Sequence, residues 1–207
     1  MTARLQTATL GRTGLEVTRL GYGAMEVSGT LHGRTVTEDE ARNILNAVLD
    51  AGINFIDTSI DYGRSEEFIG KYVSHRRSEF YLASKCGCAV VSDPAEGRHV
   101  FTRENIVAGV NQSLARMSTD YLDFVQFHVS PSRETLERDG AIDALRDLQA
   151  EGKIRFLGSS STLPNITDHL DMKVFDEFQI PYSALAREHE EVIAEAADAG
   201  IGTVIRG

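Results

Sequence analysis

Short apolar runs alternate with amphipathic segments along most of this chain. The runs have the length of buried strands and lie near residues 53–57, 80–85, 121–128, 154–157, 174–180 and 202–205. Between the runs, apolar positions recur with the spacing of a helix, as in Ala41, Ile44, Leu45 and Val48. This alternation of strand and helix predicts a parallel sheet with helices outside it.

Local signals place the ends of several of these elements. Thr37 to Glu40 has the pattern of a capping box and predicts the start of a helix that Gly52 ends. Further helices are predicted at 65–73, from Thr102, over 136–148 as one element, near 165–170 and around 192–197. Residues 7–10 and 15–18 flank a glycine-rich turn and predict an N-terminal β-hairpin, followed by a strand at 19–22. Residues 89–101 show no period and predict a loop that borders a site.

Polar residues close one predicted strand after another. They are Asp57, Lys85, His128, Ser159 and Gln179. A doubly wound sheet concentrates its ligand residues at one switch point, whereas a (β/α)8 barrel assembles its site from the C-terminal ends of many strands. The glycine fingerprints of the Rossmann fold and the P-loop are absent from the sequence. We therefore expect a TIM barrel, with residues 1–207 in a single domain.

Composition narrows the classes of partner. The 207 residues carry a formal net charge of -10, which argues against nucleic acid or an anionic membrane as a partner. The sequence has no apolar run of about 18 residues and no secretory signal, so no membrane span is expected. Cys86 and Cys88 are too close in sequence to clamp a fold, and two ligands do not make a zinc site. We expect reduced cysteines, no metal and a cytoplasmic protein.

The ionisable strand ends predict a reaction site. Asp57 ends an apolar strand, and a carboxylate buried there needs a cation, because burying it alone costs several kcal/mol. Lys85 ends the next strand, His128 a third, and Tyr62 follows Asp57 after a short turn. Each residue alone has a plainer interpretation: a turn-forming aspartate, a loop tyrosine, a solvated lysine, a core histidine. Their joint placement at neighbouring strand ends favours chemistry.

Six stretches of the sequence resemble the aldo-keto reductases. They are LGRTGLEVTRLGYGAM, GINFIDTSIDYG, the strand ending in SK, YLDFVQFH, EGKIRFLGSSS and FQIPYS, in the family's order over nearly the whole chain. The resemblance implies a (β/α)8 barrel that uses NADPH, less often NADH, to reduce aldehydes or ketones. It places the family's catalytic tetrad on Asp57, Tyr62, Lys85 and His128. It places the cofactor contacts on Gly23, Ala24, Met25, Asp57, Ser159 and Gln179.

The chemistry of carbonyl reduction agrees with that tetrad. Hydride addition leaves an alkoxide, so a group must donate a proton as charge grows on oxygen. A phenol is a poor acid at neutral pH, since its ordinary pKa is about 10, and we expect the Lys85 ammonium to lower the pKa of Tyr62. Asp57 would hold Lys85 charged and in place, and His128 would orient the carbonyl group.

The sequence departs from the family pattern at three places. Ser160 stands where many members have asparagine, so one amide contact is replaced. Arg206 stands near a position that often carries an aromatic ring, and it is either a stacking guanidinium or an exposed residue. The last strand, the last helices and the basic loop for the adenosine 2′-phosphate have no counterpart. We therefore expect an open seven-stranded barrel, completed by a missing C-terminal segment or by another chain such as a second copy.

Two function classes remain open at this stage. The first is an NADPH-dependent carbonyl reductase acting on a small aldehyde or ketone, with Tyr62 as the general acid and base. The second is an NADPH-binding regulatory or scaffold subunit on the same fold without significant turnover. The intact tetrad favours the enzyme, because a binding module has no need for an activated tyrosine.

Overall fold

A curled parallel sheet of seven strands is the framework of the protein. The computed structural model describes residues 5–31, 34–91 and 99–207. Along the sheet the strands follow the order β11-β10-β9-β8-β7-β6-β3, and every neighbouring pair is parallel. In chain order the strands are β1 (Thr7–Thr9), β2 (Glu16–Thr18), β3 (Tyr22–Gly23), β4 (Thr30–Leu31), β5 (Arg34–Thr35), β6 (Phe55–Asp57), β7 (Tyr81–Cys86), β8 (Leu122–Phe127), β9 (Ile154–Ser160), β10 (Glu177–Pro181) and β11 (Gly202–Arg206).

Helices connect the parallel strands and pack on one side of the sheet. They are α1 (Glu38–Asp50), α2 (Ser65–Val73), α3 (Arg103–Met117), α4 (Arg133–Arg138), α5 (Ala141–Ala150), α6 (Asn165–Met172) and α7 (Glu190–Asp198). The capping box at the start of α1 is present, with the Thr37 side chain accepting from the Glu40 backbone and the Glu40 carboxylate accepting from the Thr37 backbone. The prediction of a single fourth helix was wrong. Gly140 has a left-handed conformation, with φ of 64°, and separates α4 from α5.

The two faces of the sheet carry separate apolar clusters. The larger cluster lies between the strands and the helices, where Ile56, Val125 and Leu157 pack against helix residues such as Leu45 and Leu145. A smaller cluster fills the concave side and consists of Leu10, Leu15, Val17, Phe55, Ala83 and Phe124, with Tyr81, Phe156 and Val204 against it. Because side chains alternate between faces along a strand, every second residue points into this concave interior.

The N-terminal hairpin covers the lower end of that interior. β1 and β2 pair antiparallel, as predicted, and Leu10, Leu15 and Val17 contribute apolar side chains to the concave cluster. The turn of the hairpin docks on the chain just before β11, where the Arg12 backbone N–H donates to the Gly200 carbonyl at 2.6 Å. The opposite end, where the parallel strands finish, stays free of the hairpin and carries the polar residues.

The sheet ends in two edges within the part of the chain that the structure describes. β3 pairs only with β6, and β11 pairs only with β10, so the curl does not close. The architecture is that of an incomplete (β/α)8 barrel, as the sequence predicts. The first strand of the sheet begins at Tyr22 rather than near Arg19, and β7 and β9 run one and three residues further than expected. The middle of the predicted 89–101 loop, residues 92–98, lies outside the described residues, as do residues 32–33.

Candidate active site

A buried ion pair lies where β6 and β7 finish. The Lys85 ammonium donates to Asp57 Oδ1 at 2.6 Å and to the Thr58 carbonyl at 2.8 Å. The Lys85 side chain is 1% exposed and that of Asp57 is 13% exposed. Lys85 lies one residue before the end of β7. Because side chains alternate between the two faces of a strand, Lys85 points to the concave face, as Ala83 does. The cation that a carboxylate at this strand end requires is therefore present.

Tyr62 lies directly over this pair. It follows β6 in a tight turn, in which the Tyr62 backbone N–H donates to the Ser59 carbonyl at 3.1 Å. The Lys85 Nζ atom is 4.9 Å from the centroid of the Tyr62 ring. Burial raises the pKa of the phenol, while the nearby Lys85 cation lowers it, and the net pKa lies above the ordinary value. Lys85 thus acts in the expected direction, but desolvation of the phenol is the larger effect.

His128 completes the group from the end of β8. Its ring makes an edge contact with Tyr62, with 5.8 Å between centroids and 81° between planes. The Nδ1 atom lies 3.5 Å from Asp61 Oδ1 and 3.2 Å from Cys88 Sγ. Burial lowers the pKa of His128 to about 4 although Asp61 acts in the other direction. At neutral pH the imidazole is therefore uncharged, with one ring nitrogen that donates and one that accepts. The structure brings all four residues of the expected tetrad together.

Two further polar residues lie beneath the tetrad, and neither was singled out in the sequence. The register pairs Gln126 with both Lys85 and Gly158, and it pairs Glu177 with Gly158 from the other side. Gln126 Nε2 lies 3.4 Å from Asp57 Oδ2, so its amide faces the ion pair. Burial raises the pKa of Glu177 well above the ordinary value, because the charged carboxylate is disfavoured where water is excluded.

Strand alternation in the sequence contained the signal for both residues. Gln126 is two residues before His128, and Glu177 is two residues before Gln179. Residues two apart on a strand point to the same face. A buried polar residue at that spacing from a site residue therefore belongs to the layer below it.

The structure separates the two serines that the sequence assigns to the cofactor. The Ser160 hydroxyl donates to Gln179 Oε1 at 3.2 Å, on the concave side. The Ser159 hydroxyl lies instead 3.1 Å from His169 Nδ1, in the layer between sheet and helices. Ser161 Oγ also lies 3.1 Å from this nitrogen, and the other ring nitrogen of His169 donates to the Pro131 carbonyl. Ser160 and Gln179 therefore come together, and the Ser159 hydroxyl does not join them.

Three of the remaining predicted cofactor residues border a large cavity. It has a volume of about 980 Å3 and extends along the gap between β3 and β11. Gly23, Met25 and Arg206 line it, together with Asp57, Tyr62, His128 and Gln179 from the site. A side chain at Gly23 would meet no atom within 4 Å, so the backbone there is open to a flat ligand. Ala24 is fully buried, and its carbonyl accepts from the Ser65 hydroxyl at 2.8 Å.

Within the described residues, no helix is long and apolar enough to cross a membrane.

Comparisons with known proteins give a consistent result. The sequence model of the aldo/keto reductase family matches residues 19–207. Among curated relatives, the Bacillus subtilis oxidoreductase YqkF is 32% identical over 202 residues, and the aldo-keto reductase YhdN of the same species is 33% identical over 215 residues. These alignments cover 96% and 98% of this chain, but only 63% and 62% of the two relatives. The chain thus spans less than two thirds of the length of either relative.

A solved structure extends this likeness to three dimensions. An aldo-keto reductase from Bacillus halodurans in its holo form superposes with a TM-score of 0.87 at 32% sequence identity. The superposition covers 99% of this chain and 66% of that protein. Both the sequence model and the shared barrel architecture lead to one assignment: the chain belongs to the aldo/keto reductase family.

Proposed function

We propose that the protein is an oxidoreductase that reduces an aldehyde or ketone to the alcohol and catalyses the reverse oxidation. The hydride donor in this proposal is NADPH, with NADH as the alternative. The observation that carries this proposal is the Lys85 ammonium, held 2.6 Å from Asp57 Oδ1 and 4.9 Å from the centre of the Tyr62 ring. A buried cation between a carboxylate and a phenol is what an acid–base tyrosine requires. It has no evident use in a protein that only binds a nucleotide.

The residues around the cavity fit a nicotinamide cofactor. The cavity of about 980 Å3 runs from the N-terminal hairpin along the open edge of the sheet, and the nicotinamide would occupy its part at Asp57, Tyr62 and Gln179. The Ser160 hydroxyl and the Gln179 amide offer a donor and an acceptor side by side for the flat carboxamide group. Gly23 leaves its backbone accessible on the same cavity, and Arg206 supplies a planar cation at the rim. When bound, the cofactor supplies the hydride.

The side chains of this site would manage the proton. Because the pKa of Tyr62 is raised, the phenol is protonated at neutral pH and is able to donate to the developing alkoxide. The phenolate left behind would be stabilised by the Lys85 cation. Asp57 keeps that cation in position through Oδ1. Its other oxygen, Oδ2, lies 3.4 Å from the Gln126 Nε2 atom. The neutral His128 ring would donate to the substrate oxygen and orient it beside Tyr62.

The test compares two tyrosine-to-phenylalanine variants. Tyr62→Phe removes the proposed proton donor but keeps the ring, so turnover of NADPH with a panel of aldehydes should fall by orders of magnitude while NADPH affinity changes little. Tyr72→Phe is the matched control, since the Tyr72 hydroxyl bonds to Glu38 on α1 at 2.9 Å, away from the site. It should retain the turnover of the wild type. Equal turnover in Tyr62→Phe and Tyr72→Phe would remove Tyr62 as the general acid.

The same assay separates the enzyme from a regulatory nucleotide-binding subunit. Loss of NADPH absorbance with any aldehyde in the panel, abolished by Tyr62→Phe, supports the reductase. Tight NADPH binding without turnover on any carbonyl compound would favour the binding subunit instead.

A further inference from the structure

Four side chains with metal-binding atoms converge at one edge of the tetrad, and His128 belongs to both groups. They are Asp61, Cys88, His99 and His128, and one ligand atom of each lies within 4.8 Å of the ligand atoms of the others. Asp61 is in the turn after β6, Cys88 is two residues beyond β7, and His128 follows β8. His99 arrives from a separate stretch of chain, through an antiparallel bridge with Cys88. The cluster therefore joins segments that follow three consecutive strands.

The distances between the ligand atoms are close to those around a tetrahedrally coordinated metal ion. Cys88 Sγ lies 3.2 Å from His128 Nδ1, and the same nitrogen lies 3.5 Å from Asp61 Oδ1. In a tetrahedral zinc site, with bonds of about 2.0–2.3 Å, neighbouring ligand atoms are roughly 3.3–3.7 Å apart. Two edges of the tetrahedron are thus already formed, and since all four ligand atoms lie within 4.8 Å of one another, no other edge has to shorten by more than about 1 Å.

The backbone around the cluster is held in place without an ion. The Val100 N–H donates to the Gly87 carbonyl at 2.7 Å, next to the Cys88–His99 bridge. The buried Asn105 amide donates to the Cys88 carbonyl at 2.9 Å. Next to the ligands, the Ser59 hydroxyl donates to Asp61 Oδ1 at 2.7 Å, which orients that carboxylate. Ligands that are oriented beforehand lose little freedom when an ion binds.

We propose that Asp61, Cys88, His99 and His128 form a binding site for one divalent transition-metal ion of the zinc class. One sulfur, two imidazoles and one carboxylate suit zinc or cobalt(II), whereas calcium and magnesium prefer an all-oxygen set. Binding converts the Cys88 thiol to a thiolate and releases its proton to solvent. The ion would bind His128 through Nδ1, the nitrogen that faces Cys88 and Asp61.

An ion in this position would link the segments after β6, β7 and β8. Such a link stabilises the folded protein, because the site does not exist in the unfolded chain. The metal site shares His128 with the proposed tetrad, but its test does not depend on the reductase function, because metal binding and thermal melting are measured without turnover.

The experiment is a cobalt(II) titration of the metal-free, reduced protein in the absence of oxygen. The expected result is one cobalt per chain, with thiolate-to-cobalt charge transfer in the near ultraviolet and intense visible bands of a four-coordinate ion. Zinc should displace the cobalt, and zinc should also raise the melting temperature. Cys88→Ala should abolish the charge-transfer band, and His99→Gln should weaken cobalt binding at least tenfold. Cys86→Ala, two residues away and outside the cluster, is the matched control and should bind cobalt like the wild type.

Two results of the titration would contradict the proposed metal site. Weak six-coordinate bands without charge transfer in the wild type would show that these residues form an ordinary polar cluster. A charge-transfer band that survives in Cys88→Ala and disappears in Cys86→Ala would overturn the assignment of the thiolate. Circular dichroism and thermal melting of each variant show that it is folded before it is titrated.

Discussion

Glu177 lies opposite Gly158 on the neighbouring strand, and the missing side chain of Gly158 leaves the space that the Glu177 carboxyl group fills. A methyl group on Gly158 would overlap Glu177 Oε2 and would come within 2.8 Å of Gln126 Cγ. Neither carboxyl oxygen of Glu177, nor Gln126 Oε1, has a hydrogen-bond partner among the described residues. The layer below the tetrad thus contains the buried carboxyl group of Glu177. No described residue donates a hydrogen bond that would stabilise the charged form of this group.

This arrangement predicts a pH dependence of stability. Because burial raises the pKa of Glu177, the folded protein keeps its proton at pH values where the unfolded chain, with the ordinary carboxyl pKa of 4.5, has lost it. The folded state therefore binds more protons, and the contribution of Glu177 to stability is present below about pH 4.5 and is lost as the pH rises above that value. Glu177→Gln mimics the protonated acid, so its free energy of unfolding relative to the wild type should increase with pH. Urea unfolding from pH 4 to pH 8 measures this difference.

An exposed acid provides the control for this measurement. Glu195→Gln removes a carboxylate on the outer side of α7 and should show no such increase relative to the wild type. If the difference between Glu177→Gln and the wild type is constant across this pH range, then Glu177 is not held protonated in the folded protein.

The buried ion pair should matter far more to stability than an exposed pair. Lys85→Met leaves the Asp57 carboxylate buried without its cation, and we expect a loss of about 3–5 kcal/mol. Arg103→Met breaks the pair with Asp147, whose side chains are 53% and 56% exposed, and should cost no more than about 1 kcal/mol. Urea unfolding of both variants checks the comparison. Adding Asp57→Asn to Lys85→Met should restore much of the loss, and a double variant less stable than Lys85→Met would contradict this explanation.

Two helical glycines should respond in opposite directions to alanine. Gly70 in α2 packs against the end of α3, where an added Cβ would overlap the Arg116 carbonyl and come within 2.9 Å of Met117 Cα. Since backbone atoms cannot move aside cheaply, Gly70→Ala should destabilise the protein by about 1–3 kcal/mol. Gly109 in α3 has its nearest neighbour at 3.7 Å, so Gly109→Ala should stabilise by roughly 0.5–1 kcal/mol through helix propensity. Thermal unfolding of the two variants measures these changes in stability. If the melting temperatures of both variants shift in the same direction, the packing described for Gly70 and Gly109 is contradicted.

Alternation and strand ends were enough to predict the barrel and the convergence of Asp57, Tyr62, Lys85 and His128. The same alternation could have located Gln126 and Glu177, because each lies two residues before a predicted site residue. The sequence did not predict how far a strand extends beyond its apolar run, so the contact of the Ser159 hydroxyl with His169 could not be foreseen, and a role for Ser159 in cofactor binding stays a prediction. The approach of His99 to Cys88 could not be foreseen either, since it depends on a bridge within a stretch without periodicity.

The positions of the two serines lead to a test of cofactor binding. Ser160→Ala removes the hydroxyl beside Gln179 on the cavity side, and one lost hydrogen bond of about 0.5–1.5 kcal/mol should weaken NADPH binding by up to roughly tenfold. Ser159→Ala removes a hydroxyl that lies at His169 behind the sheet, so it should cost about 1 kcal/mol of stability and leave the NADPH affinity unchanged. Fluorescence titration with NADPH and urea unfolding of both variants provide the two readouts. If Ser159→Ala weakens NADPH binding more than Ser160→Ala does, the carboxamide is recognised from Ser159, and the hydroxyl of Ser159 must leave His169 when the cofactor binds.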